Sequence, residues 1–293
     1  MKVGYFSVGV GPTTNPQWLR AAVTNAERLG FSTIWAPEHV VLIDRYVSRY
    51  PYTSGEFPGP ANGAIADPFA TLAYVAACTS NVKLATGICI VPEHNPVVLA
   101  KTIATVDRLS GGRVILGVGI GWAEEEFQAL GISFERRAQR TREYIDVMRK
   151  LWTEEHSTHR GEFVNFNKVF SYPKPANAKG VPVWFGGESG PALRRVAEYG
   201  DGWLGFKLTP EAAAAKIRRI EELLKASGRK RSDVYLAVSP YTDAIKPDDL
   251  KRYRDAGAEE IALLITERTR TEKDLVAALE KMAREFLEPA AGL

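Results

Sequence analysis

The chain has 293 residues, 45% of them hydrophobic, and its 38 basic and 35 acidic side chains leave a formal net charge of +3. This length fits one barrel with insertions as well as two small domains, and the near balance of charge argues against a nucleic-acid-binding surface. No apolar run approaches the roughly 18 residues of a membrane span, and the N-terminus lacks a signal-peptide layout. With two cysteines, Cys78 and Cys89, interpreted as reduced, we expect a soluble cytoplasmic protein.

Strand-like and helix-like segments alternate along the whole chain. The predicted strands span residues 3–8, 33–35, 82–90, 113–118, 181–185, 202–206, 234–239 and 260–265. The predicted helices span residues 16–29, 95–110, 135–152, 209–227, 247–255 and 271–287, with two more that begin near residues 67 and 191. Asp67 and Asn95 each precede a proline, which is typical of a capped helix start.

Eight strand-then-helix units predict a parallel sheet flanked by helices. Eight is also the number that closes into a (β/α)8 TIM barrel, and no proline- or serine-rich linker divides the chain. We therefore predict an α/β protein with one TIM-barrel domain over residues 1–293, in preference to an open doubly wound sheet.

Two segments do not fit the repeat, and both are predicted insertions. Residues 44–66 follow strand 2 and are rich in Tyr, Pro and Gly, so they would lie over the C-terminal mouth of the barrel. Residues 153–180 precede strand 5 and contain a possible hairpin at 161–171. Long loops of this kind are often lids or binding loops, although the second is as compatible with a solvated surface excursion.

Candidate site residues lie where strands run into helices, because barrel chemistry is placed at the C-terminal ends of the strands. After strand 5, the run Gly186-Gly187-Glu188-Ser189-Gly190 suits a phosphate, since glycines allow close backbone approach and the helix start offers free N–H groups. Glu188 argues against this site unless its side chain points away. The alternative is a plain glycine-rich turn.

The run Gly117–Trp122 after strand 4 is not a dinucleotide fingerprint, because the third glycine position is Trp122. Its alternating glycines leave backbone exposed where a flat ring could lie, with Trp122 stacking on that ring or closing the pocket. Close strand packing is the alternative, and it explains Gly117 better than Gly121.

His39, at the end of strand 2, is a candidate proton donor or base because its ordinary pKa lies near neutrality. Glu38 precedes it, although adjacent side chains on extended backbone point to opposite sides. No metal site is predicted, since His94 is isolated in the sequence and His156 and His159 belong on the wrong face. Paired carboxylates for glycoside hydrolysis remain a distant alternative, built from Glu38 with Glu93, Glu124 or Glu188.

Longer segments carry a family resemblance that spans most of the chain. They are LGFSTIWAPEH, ADPFATLAYVAACTSNVKLATG, NPVVLAKTIATVDRLSGGRVILGVGIGWAEEEFQALG and VPVWFGGESGPALRRVAEYGDGWL. The chain resembles the bacterial luciferase-like flavin and deazaflavin oxidoreductases, and within them the short F420-dependent enzymes. The resemblance implies a TIM barrel with a flavin-type ring in the mouth.

The same resemblance implies roles for individual residues. Glu38 and His39 match an acid–histidine pair near the redox face of the ring, and Gly87-Ile88 matches a strand end with a non-prolyl cis peptide behind it. The implied cofactor-binding residues are Thr86, Gly87, Ile88, Gly119, Ile120, Gly121 and Trp122 at the ring, and Gly186, Gly187, Glu188, Ser189 and Gly190 at the phosphate.

Two positions depart from the F420-dependent sugar-phosphate dehydrogenases of this group, which have a glutamate at the Trp122 position and a tryptophan at the Ile43 position. We therefore expect an F420-dependent oxidoreductase that acts on a small organic substrate other than a sugar phosphate, as a homodimer. The alternatives are an FMN-dependent monooxygenase supplied by a separate flavin or F420 reductase, and a barrel that binds a ligand without turnover. Basic residues near the mouth would favour the acidic tail of F420, and the candidates are Arg45, Arg49, Arg194 and Arg195.

Overall fold

The computed structural model describes residues 1–293. Its strands are β1 Lys2–Phe6, β2 Thr33–Ala36, β3 Lys83–Thr86, β4 Cys89–Ile90, β5 Val114–Gly119, β6 Ser157–Arg160, β7 Asn165–Val169, β8 Val183–Gly186, β9 Gly202–Phe206, β10 Tyr235–Tyr241 and β11 Glu260–Leu263. Its helices are α1 Pro16–Leu29, α2 Pro68–Cys78, α3 Pro96–Leu109, α4 Glu124–Ala129, α5 Arg137–Thr153, α6 Gly190–Tyr199, α7 Pro210–Ala226, α8 Pro247–Asp255, α9 Glu272–Met282 and α10 Glu288–Ala291.

Eight of the strands close into a barrel. The order is β3-β2-β1-β11-β10-β9-β8-β5, and β5 pairs with β3 to complete the circle. Every pairing in this sheet is parallel, with a helix between successive barrel strands. The predicted (β/α)8 barrel is confirmed. Because all strands are parallel, their C-terminal ends meet at one mouth.

The barrel interior is filled by one side chain from each of the eight strands. They are Phe6, Trp35, Ala85, Ile115, Trp184, Leu204, Ala237 and Ala262, all buried. Below them the buried Glu260 carboxylate accepts hydrogen bonds from the Thr33 hydroxyl and the Trp35 indole, each at 3.0 Å. A larger core of 55 buried residues packs the helices on the outside of the strands. The interior is therefore a packed floor beneath the mouth.

Several helices begin as the sequence predicts, because their caps are local. The side chains of Asn15, Asp67, Asn95, Ser189 and Thr209 accept backbone N–H groups at the starts of α1, α2, α3, α6 and α7, and a proline follows in the first turn each time. Such a cap is worth about 1 kcal/mol. None of the helices combines the length and the apolar character needed to cross a membrane.

Some predicted boundaries are wrong. The strand predicted at 82–90 is divided into β3 and β4 by a bulge with a cis peptide between Gly87 and Ile88. The hairpin predicted at 161–171 is formed by β6 and β7 and therefore begins earlier. The short helix α4 was not predicted, since six residues carry too little periodicity. The last predicted helix is divided, with a π-helical segment over Ala283–Leu287.

Candidate active site

The predicted site residues lie on the mouth of the barrel, and the insertion at 44–66 folds across that mouth. We call residues 44–66 the lid. One end of the lid is held where Glu125 Oε1 accepts the amides of Val47 and Ser48 at 2.6 and 2.8 Å. The other end is held by a β-bridge between Val10 and Ile65. The structure thus confirms the predicted position of this insertion over the mouth.

His39 is paired with a carboxylate, but the partner is not its neighbour Glu38. Nδ1 of His39 lies 2.9 Å from Oε2 of Glu126, which is only 1% exposed. The other oxygen, Oε1, accepts the amides of Val40 and Val41 at 2.7 and 3.3 Å. The suggestion that Glu38 tunes His39 is therefore replaced by a pairing with Glu126 on α4.

Glu38 turns to the opposite side and forms a second pair. Its Oε1 lies 3.0 Å from Nε2 of His94, and its Oε2 accepts the Ile90 amide at 2.5 Å. The Cys89 thiol belongs to the same group, and the donor atoms of Glu38, Cys89 and His94 lie within 4.8 Å of one another. His94 is thus not isolated, as the sequence suggested. This group has the chemistry of a metal-ligand set, while its polar atoms already contact one another or the backbone.

Glu93 is a third buried carboxyl near these two pairs. It is 6% exposed, and neither of its oxygens has a hydrogen-bond partner. Burial, together with the charges of Glu126 and Glu38, raises its pKa to about 9. Glu93 is therefore uncharged at neutral pH, which avoids a third negative charge in the same buried region.

Trp122 stands at the end of β5 among aromatic side chains of the lid. Its ring is stacked with Phe57 at a centroid distance of 6.0 Å and an interplanar angle of 18°. Tyr46 and Tyr50 also contact it, with centroids at 4.9 and 5.1 Å. The His39 ring meets Phe57 edge-on at 5.1 Å. An aromatic wall therefore surrounds the exposed edge of His39.

The aromatic contacts continue across the mouth to the opposite strands. Tyr50 contacts Tyr52 at 5.5 Å, and Tyr52 contacts Phe206 at the end of β9 at 4.9 Å. Phe206 in turn contacts Tyr241 at the end of β10 at 4.6 Å. Lid side chains thus cover the mouth in this conformation.

The glycines at the end of β5 lie where a side chain would collide with neighbouring segments, including the bulge between β3 and β4. A side chain at Gly117 would overlap the Thr86 carbonyl oxygen, and one at Gly119 would overlap the Ile88 side chain. Gly121 has a φ of +78° and lies against the ring of Phe127. Packing therefore accounts for Gly121 as well as for Gly117. Gly119 in particular makes room for the side chain of Ile88 at the mouth.

The loop at the start of α6 has the geometry expected of an anion site. Gly187 has a φ of +98°, and Ser189 caps the helix. The Glu188 carboxylate accepts the Phe206 amide at 2.8 Å and is thereby engaged at β9. Burial raises its pKa to about 7, against the opposing effects of hydrogen bonds from Phe206 and Tyr52. The carboxylate that argued against this site is thus bound elsewhere.

Arginines gather beside this loop. A methyl group on Gly190 would lie 3.8 Å from Nη1 of Arg194. Arg195 has a buried Nε without a hydrogen-bond partner, and Arg137 donates to the Gly121 carbonyl at 3.2 Å. Burial and the charge of Arg195 lower the pKa of Arg137, so these two guanidinium groups repel each other. An anionic ligand would relieve that repulsion.

Residues 1–284 match the family model described as luciferase-like monooxygenase. The chain belongs to the luciferase-like monooxygenase family. Its members and structural neighbours are oxidoreductases and monooxygenases, so the chain is an enzyme of that kind.

Three similar proteins illustrate the range of the family. The Mycobacterium tuberculosis protein named "Uncharacterized protein Rv0953c" is 34% identical over 269 residues, which cover 90% of this chain and 92% of that one. The F420-dependent glucose-6-phosphate dehydrogenase of Segniliparus rotundus is 33% identical over 65% of this chain and 53% of its own. A solved F420-dependent secondary alcohol dehydrogenase, in complex with an F420-acetone adduct, has a TM-score of 0.78 and 20% identity over 99% of this chain and 98% of its own. That last similarity establishes the fold.

Within this luciferase-like barrel, sequence reasoning missed the partner of His39. Glu126 stands in a run of three acids soon after the end of β5, and its position near the mouth was a usable signal. The contributions of Phe206 and Tyr241 to the lid contacts had no comparable local signal. His159, by contrast, is buried beside Glu143 on α5, away from the mouth as expected.

Proposed function

We propose that this luciferase-like protein uses the deazaflavin F420 to move a hydride to or from a small, largely apolar organic substrate. The observation that carries the proposal is that one mouth bears His39, an aromatic enclosure and a helix start with the geometry of an anion site. The F420-dependent relatives support it. Trp122, where sugar-phosphate dehydrogenases have a glutamate, favours a substrate other than a sugar phosphate.

The residues at the mouth fit such a cofactor. Gly187, Ser189 and Gly190 would hold its phosphate through the N-terminus of α6, because backbone N–H groups there are free and Glu188 is bonded to Phe206. The ring would be held by two groups of residues, which are Thr86, Gly87 and Ile88 at the bulge and Gly119, Ile120, Gly121 and Trp122 at the end of β5. When bound, the cofactor supplies two-electron hydride chemistry that no side chain provides.

His39 would handle the proton that accompanies the hydride. Its ring lies at the mouth with its side chain 11% exposed, beside Trp122 and Phe57. A histidine can accept or donate a proton near neutral pH. Under this proposal Glu38, predicted as its catalytic companion, contributes by holding His94 and the Ile90 amide in place.

The lid would admit the ligands and then exclude water. Tyr50 and Tyr52 contact Phe206 and Tyr241 directly or through each other, so entry of a ring requires these contacts to open. Closure over bound ligands would lower the local dielectric and protect the reaction from solvent.

Arginines without carboxylate partners favour F420 over FMN. Arg137, Arg194 and Arg195 take part in no salt bridge with an acid, and the acidic tail of F420 offers more negative charge than FMN. Arg45 and Arg49, also named as candidates, lie on the exposed lid, where Arg45 is near Asp44. The family's description as monooxygenases supports the alternative, an FMN enzyme that receives reduced flavin from a separate reductase and activates oxygen.

Titration of the purified protein with F420 and with FMN, followed by ring fluorescence, tests the assignment. We expect saturable binding of F420 and binding of FMN weaker by about tenfold or more. Arg194→Gln should weaken F420 binding, while Arg218→Gln, an exposed residue of α7, should not. Tighter binding of FMN would favour the monooxygenase. Binding of neither cofactor would favour the alternative of a barrel that binds a ligand without turnover.

A further inference from the structure

Glu126 is held by several contacts at the mouth. Its carboxylate is buried and makes three contacts, one to Nδ1 of His39 and two to the amides of Val40 and Val41. A carboxylate that receives two amide hydrogens at one oxygen acts as an acceptor, so the hydrogen in the His39 contact belongs to Nδ1. The neutral imidazole then carries its lone pair on Nε2.

We propose that Glu126 is a positioning residue for His39, and that it holds the imidazole as the Nδ1–H tautomer with Nε2 free to exchange a proton with the substrate. The proton exchange with the substrate rests on the proposed function, whereas the tautomer of His39 does not depend on it. A carboxylate behind an imidazole plays this part in hydrolases, where it orients the ring and stabilises the imidazolium. Here the rings of Phe57 and Trp122 meet the His39 ring edge-on, with centroids at 5.1 and 6.1 Å.

With an alcohol as substrate, His39 would accept the hydroxyl proton. The hydroxyl proton of the substrate passes to Nε2, and the electron pair of that O–H bond becomes the second bond of the carbonyl. The C–H bond of the same carbon would break with its electron pair, and the deazaflavin would supply the hydride acceptor, so the substrate would lose two electrons and two hydrogens. His39 becomes an imidazolium, which the Glu126 carboxylate stabilises from the Nδ1 side. Reduction of a carbonyl runs through the same steps in reverse.

Other acids near Glu126 do not compete for this role. Glu93 is close enough for Glu126 to raise its pKa, and it is uncharged at neutral pH. Glu125 is bonded to the lid amides of Val47 and Ser48. Tyr46 has a pKa raised chiefly by burial and further by the charges of Glu126 and Glu125, so it too is uncharged. The Glu126 carboxylate is thus the anion that His39 contacts.

The variant Glu126→Gln tests the proposal because its amide has one preferred orientation. The amides of Val40 and Val41 require an acceptor, so the carboxamide oxygen takes the place of Oε1 and the NH2 group faces Nδ1. Nδ1 must then accept, which drives the proton to Nε2. We expect turnover to fall on the order of 100-fold or more, as when the equivalent carboxylate of a hydrolase is amidated, with cofactor affinity within about twofold. Glu124→Gln, an exposed change of equal charge on the same helix, should keep its turnover.

Nitrogen-15 NMR of histidine reports the tautomer without any cofactor. The chain has four histidines, so His39 can be assigned by comparison with His39→Gln. We expect the proton of neutral His39 on Nδ1 in the wild-type protein and on Nε2 in Glu126→Gln. An Nε2–H tautomer in the wild-type protein would overturn the proposal even if the variant failed to fold. Unchanged turnover in a folded Glu126→Gln protein would also overturn it, whereas failure of both cofactors to bind would count against the proposed function alone.

Discussion

The mouth contains two carboxylate–imidazole pairs that look alike at the level of single contacts. His39 lies 2.9 Å from Glu126, and His94 lies 3.0 Å from Glu38. Both carboxylates are buried, and each accepts at least one backbone amide. The two pairs differ in their surroundings, since His39 contacts the aromatic side chains of the lid and His94 is grouped with the thiol of Cys89.

Under the proposed function, this difference distinguishes a histidine that would exchange protons with the substrate from one that supports the structure. For His94, burial disfavours the charged ring, but the hydrogen bond and charge of Glu38, with the charge of Asp67, outweigh it and raise its pKa. The contact between His94 and Glu38 joins two segments at the rim of the barrel. His39 lies where a substrate under the lid would meet it. The carboxylate contact alone therefore does not favour either histidine, and the proposed role of His39 rests on its surroundings.

Replacing each histidine with glutamine is the most direct test of the difference between His39 and His94. His39→Gln should reduce turnover by about 100-fold or more, because general acid–base catalysis contributes about 10²–10⁴-fold. His94→Gln should change turnover by less than about threefold. Steady-state rates with the bound cofactor measure the turnover of both variants. Titration with the cofactor is the control, because unchanged affinity shows that the mouth is still folded. Equal losses in the two variants would contradict the distinction.

Replacing the ionisable Glu93 with glutamine tests the carboxyl that lies near both pairs. The folded protein holds a proton on this group between pH 4.5, its ordinary pKa, and about 9, so stability should fall as pH rises through that window. Glu93→Gln should remove that part of the fall and gain about 1–3 kcal/mol at pH 8, as expected for a buried group without a partner.

Denaturant unfolding of both proteins from pH 5 to 9 measures this change, with Glu124→Gln as the control for one lost carboxylate. Curves that stay parallel across the window would show that Glu93 does not titrate as a buried acid.

His94→Gln should also lower the free energy of unfolding, because it removes the contact between His94 and Glu38. Because the pKa of His94 is raised above 6.5 in the folded protein, its contribution is fully present below pH 6.5 and is lost as pH rises through the folded pKa. We expect a loss of about 1 kcal/mol at pH 5.5 and a smaller one at pH 8.5. Thermal unfolding at the two pH values is the measurement, and a larger loss at pH 8.5 would reverse the assignment.

The smallest expected effect concerns Glu188, at the anion loop. With its pKa near 7, this carboxyl gains its charge between pH 6 and 8, so affinity for an anionic cofactor should decrease by about threefold over that range. Glu188→Gln should bind F420 with a flatter pH dependence. Identical slopes in the two proteins would mean that the carboxylate bonded to Phe206 does not influence the loop.

Local signals made much of the fold predictable. Asp67, Asn95 and Thr209 cap helices through atoms two or three residues away, so a short stretch of sequence contains the whole interaction. The mouth residues His39 and Ser189 could likewise be placed on one face, because parallel strands of a barrel bring their C-terminal ends together.

The partners of those residues could not be predicted in the same way. His39 and Glu126 are 87 positions apart, and Glu38 and His94 are 56 apart. Which acid meets which histidine depends on how the short helix α4 and the turn after β4 are seated on the barrel. Gly117 is similar, because its need for a missing side chain comes from the Thr86 carbonyl on a neighbouring strand.

Sequence by itself determined the eight alternating units, most helix starts, the family and the face that bears the site. Periodicity, capping and glycine-rich turns are properties of a few consecutive residues, which is why they can be read from the chain alone. Only the tertiary structure decided that Glu126 holds His39, that Glu93 is buried without a partner, and that the lid reaches Phe206. Those contacts join distant segments, and their geometry is set by packing around the closed barrel.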